Sequence, residues 1–153
     1  MLDDQYWMQQ VYTLAKSTLD EVPVAAVLVS EDNKMLASAT NQVIKKCDPT
    51  AHAEIVALRL AAQKMGNYRL LNSTLYVSLE PCAMCAAALV HARVKRLVFG
   101  TRDFQLGAAG SCCNLLKGAP YNHSVIIDEG IMSAEFSSLL KDFFDKKRRQ
   151  GEQ

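Results

Sequence analysis

His52-Ala53-Glu54 and Pro81-Cys82-Ala83-Met84-Cys85 constrain this chain more than any other feature, because His52, Cys82 and Cys85 suit one metal ion but lie on separate segments. Any fold the chain adopts has to bring those segments together. Cys82 and Cys85 are three residues apart, so on a helix both side chains project from one face. At a helix start, unpaired N–H groups and the positive dipole end favour the thiolate, the form that binds metal. His52 is expected in the first turn of the preceding helix, so two helix starts should meet at one cation.

Three protein ligands leave a tetrahedral zinc with room for a water, whereas structural zinc sites normally fill all four positions with protein. Two thiolates and a neutral imidazole would make the ion formally neutral, and soft thiolates with imidazole suit zinc. Glu54, two residues from His52, reads as a base near the ion rather than a ligand. Zinc lowers the pKa of bound water toward about 7, and a nearby carboxylate can take that proton. Two other readings stay open. Cys47 could close the site as a fourth ligand, or Cys82 and Cys85 could be buried apolar residues at a helix start.

With 153 residues and half of them apolar, one domain spanning 1–153 with a real core is expected. No apolar run approaches the ~18 residues of a membrane span, and the acidic start Met1-Leu2-Asp3-Asp4 lacks the pattern of a secretory signal. A cytoplasmic protein with no membrane partner is the expectation. Five cysteines, two of them the adjacent pair Cys112-Cys113, do not read as a disulfide framework. A net charge of +1 gives no global drive toward nucleic acid. Only a local stretch, Lys141 to Arg149 within the tail 141–153, is rich in basic residues, and it also reads as a solvated helix end.

Spacings of three and four predict a helix over 3–19. Two apolar runs, 24–29 and 35–39, flank a polar turn and predict a hairpin. A helix is expected over 50–65, with Asp48-Pro49-Thr50 offering caps. Thr74 to Leu79 reads as a strand, and Pro81 should open an alanine-rich helix. Further strands are expected at 96–100 and 124–127, and an amphipathic helix over 133–147 with Phe136, Leu139, Leu140, Phe143 and Phe144 on its apolar side. Strand–helix alternation after the hairpin implies right-handed crossovers and parallel pairing. The expected α/β architecture is a mixed five-stranded sheet flanked by helices on both faces.

The segments Ala51-His52-Ala53-Glu54 and Leu79-Glu80-Pro81-Cys82-Ala83-Met84-Cys85 resemble the cytidine deaminase-like superfamily. Asn41, Asp48-Pro49-Thr50, Asn67-Tyr68-Arg69-Leu70, Arg102-Asp103 and Gly107 to Ser111 are similar to its tRNA adenosine branch. The resemblance implies a Zn2+ ion on His52, Cys82 and Cys85 with water or hydroxide as fourth ligand, and Glu54 as proton carrier. It implies deamination of adenosine to inosine at the wobble position of a tRNA anticodon stem-loop, whose loop bases splay out easily. It further implies that Asn41 hydrogen-bonds the nucleoside, Val24 packs against the base, Asp103 senses a 2′-hydroxyl and Phe144 borders the substrate, in a homodimer. Ala25, Gln105 and Cys112-Cys113 depart from the family's pattern. Two alternatives share the zinc motif: a deaminase of a free guanine, cytosine or cytidine, and a zinc-stabilised RNA-binding module without catalysis.

Overall fold

The computed structural model describes residues 1–118 and 122–151. Its elements run α1 (Asp4–Lys16), β1 (Ala25–Val29), β2 (Met35–Thr40), α2 (Ala53–Met65), β3 (Thr74–Leu79), α3 (Ala83–His91), β4 (Arg96–Thr101), β5 (Ile126–Glu129) and α4 (Ser133–Arg149). The sheet order is β2-β1-β3-β4-β5. β1 is antiparallel to both β2 and β3, whereas β3, β4 and β5 are mutually parallel. The mixed five-stranded sheet expected from the sequence is therefore present.

β1 (Ala-Ala-Val-Leu-Val) is buried along its whole length, as a central strand covered on both faces must be. Side-chain alternation splits the core into two layers. Ala26, Leu28, Leu75, Val77, Leu97 and Phe99 pack with α2 and α3. Ala25, Val27, Val29, Tyr76 and Val98 pack instead with Trp7, Met8 and Val11 of α1 and Phe136 of α4. Leu28 and Val77 are fully enclosed, and burying such a side chain stabilises by about 1.5–3 kcal/mol. Leu28→Ala would cost about 2–5 kcal/mol through the cavity it leaves. Gly100 lets the Phe136 ring lie against β4, where a Cβ would collide with it.

Local chemistry sets the element ends. Asp3 caps α1 by accepting the Tyr6 N–H at 2.9 Å, and Gly66, at φ 65°, closes α2 in the left-handed conformation. Of the boundaries that differ from the sequence reading, three have a clear local cause. Asp48 accepts the N–H and hydroxyl of Thr50, capping the turn before α2 rather than the helix itself. Pro81 precedes the cap of α3 instead of opening it, and its carbonyl accepts the Ala108 N–H at 2.8 Å. β5 starts two residues late because the Val125 N–H turns away to Leu116 O at 2.8 Å.

Candidate metal centre and substrate cavity

His52 and Cys82 are the N-cap residues of α2 and α3, and neither makes a side-chain cap hydrogen bond. His52 thus sits one position before the first turn, not within it as the sequence pattern predicts. Both caps have extended backbone angles, with ψ 153° and 176°, which aim their side chains off the helix start and toward one another. Cys85 lies buried in the first turn of α3. His52 Nδ1 is 3.6 Å from Cys82 Sγ and 3.5 Å from Cys85 Sγ. A tetrahedral zinc with Zn–S of ~2.3 Å and Zn–N of ~2.0–2.1 Å sets N and S about 3.6 Å apart. The three donors fit that ion and lie within 4.8 Å of one another.

The electrostatics fit as well. The hydrogen bond from the Cys85 thiol holds Cys82 down at about 5, helped by backbone N–H groups at the helix start. The same shared hydrogen bond, with burial, pushes Cys85 up. Cys47 lies outside the group, exposed and directed to Ile44 O at 3.8 Å. Glu54, in the first turn of α2, is 4% exposed, and burial pushes its carboxyl up to about 7.

His52, Glu54 and Cys82 line a cavity of about 580 Å³. Val24, Asn41, Asp103 and Phe144, the other expected site residues, line it too. Val24 is 7% exposed and also belongs to the core, while Phe144 is 44% exposed at the rim rather than packed inside. Asp103 Oδ1 accepts the Gln105 and Leu106 N–H groups, each at 3.0 Å. The neighbouring cavity of about 680 Å³ shares Asn41, His52 and Phe144 and extends to Lys147 and Arg148, so the basic end of α4 borders the site. The last two residues of the expected tail, 152 and 153, lie outside the described residues.

Sequence reasoning missed Glu80. It is 2% exposed, and its carboxylate accepts the N–H groups of Asp103, Ala109 and Ser111 at 3.0–3.1 Å and the Ser111 hydroxyl at 2.5 Å. Burial alone would raise its carboxyl, and these hydrogen bonds more than offset that, leaving it below the usual range. Gly107 passes so close that a Cβ there would strike the Glu80 carboxylate and Asp103 O. Glu21 does a similar service beside the neighbouring cavity, accepting the N–H groups of Ile44 and Lys45.

Residues 1–101 match the cytidine and deoxycytidylate deaminase zinc-binding region. The chain belongs to this deaminase family. The tRNA-specific adenosine deaminase of Haemophilus influenzae is 46% identical over 149 residues, covering 96% of this chain and 86% of that protein. The tRNA-specific adenosine deaminase of Bacillus subtilis is 36% identical, covering 98% and 94%. A structure solved in work on A-to-I editing by tRNA:A34 deaminases at the wobble position superposes with a TM-score of 0.84 at 37% identity, covering 87% of this deaminase and 97% of that chain. The guanine deaminase of Nitrosomonas europaea follows with a TM-score of 0.80 at 25% identity, covering 94% and 85%.

Proposed function

We propose that this deaminase hydrolyses adenosine to inosine and ammonia at the wobble position of a tRNA anticodon, with zinc on His52, Cys82 and Cys85. The observation that carries the reading is Glu54, buried beside the three donors at the floor of a cavity rimmed by exposed residues. The tRNA deaminase relatives favour adenosine in RNA over a free base. Zinc there would supply the acidification of a fourth-position water that hydrolysis at neutral pH needs.

The protein's own groups do the rest. Glu54 takes a proton from the attacking water and delivers protons to the ring and to the departing amine, a role suited to a carboxyl raised toward neutrality. Asn41 on the cavity wall hydrogen-bonds the nucleoside, Val24 packs against the base, and Phe144 borders it. Asp103 meets a 2′-hydroxyl through Oδ2, since Oδ1 is committed to its own loop. The reading takes residues 1–153 as one domain, acting as a homodimer in the cytoplasm where its tRNA resides. Among the described residues, no helix is long and apolar enough to cross a membrane.

The likeness to guanine deaminase gives the second reading, hydrolysis of a free base. Metal-replete protein incubated with an anticodon stem-loop, adenosine, guanine and cytidine separates the two. Inosine at the wobble position is expected, and turnover of free bases alone would overturn the tRNA reading.

A further inference from the structure

Phe104 is 78% exposed although it lines the same cavity as Glu54, which is 4% exposed, so the ring stands at the mouth while the chemistry lies at the floor. Its backbone is held on every side. Asp103 N donates to Glu80 at 3.1 Å, Asp103 Oδ1 accepts the N–H groups of Gln105 and Leu106, and Gly107 N donates to Asp103 O at 2.9 Å. Phe104 O itself accepts from the Cys112 thiol at 3.3 Å. An aromatic ring kept in water on a pinned turn is a platform set in advance, so a flat ligand placed on it costs little ordering. Leu106, 67% exposed, extends the apolar rim, and Arg102 stands on the same wall but is paired with Glu129 at 2.8 Å.

An adenosine in a nucleic-acid chain cannot enter the cavity without bringing its neighbours to the mouth. We infer that Phe104 forms a stacking subsite for the nucleobase adjacent in the chain to the deaminated adenosine. The inference rests on the proposed action on an anticodon loop. Every base has a π-face, so such a platform accepts any neighbour, purines more strongly through their larger area. It holds the strand while the target base reaches the floor, and it leaves proton transfer to Glu54.

The test is steady-state deamination of an anticodon stem-loop by the zinc-loaded wild type and by Phe104→Ala, Phe104→Leu and Phe104→Trp. Each is assayed on the intact loop and on loops made abasic at the 5′ or the 3′ neighbour of the target. On the intact loop, Phe104→Ala and Phe104→Leu should raise KM by roughly 5- to 100-fold with kcat nearly kept, and Phe104→Trp should restore it. On one of the abasic loops the wild type should lose the same factor, and the substitutions should then have no further effect. An equal penalty for Phe104→Ala on every loop, or a normal KM for Phe104→Leu, would overturn the stacking subsite. Failure of the wild type to deaminate the intact loop would instead overturn the tRNA reading beneath it.

Discussion

Glu80 Oε2 accepts the Ala109 N–H at 3.0 Å, tying the end of β3, two residues before the candidate metal donor Cys82, to the loop that carries Asp103 and Phe104. One buried carboxylate, two residues from a metal-donor thiol, therefore anchors the rim loop. Glu80→Gln turns an NH2 group toward N–H donors and leaves at least one buried donor without a partner. A loss of about 1–3 kcal/mol is expected, at roughly 2–4 °C of Tm per kcal/mol for a chain of this size, together with a raised KM. Because the carboxyl is held below its usual value, its contribution is complete above the unfolded glutamate range near about pH 4.3 and is lost as pH falls through the folded value. Acid unfolding of Glu80→Gln should lack that component, which thermal melts across pH 2–7 will read.

Glu54→Ala should lose about 10²–10⁴-fold in turnover while keeping one zinc per chain and the affinity for stem-loop RNA. Metal analysis alongside inosine assay checks both. Unimpaired function in this variant would favour the non-catalytic binding module.

Cys85→Ser should release zinc and abolish activity, because it removes one of three donors that fit the ion. Cys47→Ser should change neither, since Cys47 is exposed and outside the group. Loss of zinc from Cys47→Ser, read by metal content after dialysis, would mean a closed four-ligand site.

Far from the cavity, Arg96 grips Asp4 through two hydrogen bonds at 2.6 and 2.9 Å, and the Tyr76 hydroxyl adds a third at 2.7 Å. The Arg96 hydrogen bond holds the Asp4 carboxyl below its usual value. Asp4→Asn should therefore cost about 1 kcal/mol near neutral pH. The difference from wild type should persist above about pH 4 and close as pH falls through the folded value. Chemical denaturation at pH 7 and at pH 3 makes the comparison.

Lys147 and Arg148 border the neighbouring cavity, which shares Asn41, His52 and Phe144 with the site, from the end of α4. Replacing both with Ala should weaken stem-loop binding and reduce the salt slope by about 0.7–0.9 for each phosphate these two cations neutralise. Titrations between 50 and 200 mM salt, by fluorescence anisotropy, measure it.

The meeting of His52, Cys82 and Cys85 is legible in the sequence because metal donors announce themselves by residue type and spacing. Strands rich in β-branched residues, such as β3, and helices with an apolar stripe, such as α1, are legible by period. The one-residue shift of His52 from first turn to N-cap is not, since both positions put the imidazole near the same ion. Glu80 escapes for a deeper reason. Its partners Asp103, Ala109 and Ser111 act mainly through backbone N–H groups, which every residue but proline has, and they lie 23–31 residues away. Phe144 reads equally well as core or as rim, and only the path of α4 decides that it stands 44% exposed at the cavity.

The grip of Glu80 on the main chain separates inheritance from innovation in this loop. Among the described residues the side chains at 104, 105 and 106 make none of the hydrogen bonds that hold its path, so mutation can exchange them while the turn keeps its course and the metal-donor group stays where it is. A lineage carrying this scaffold can retune which RNAs it accepts by point changes at three outward positions, without re-evolving the chemistry beneath them.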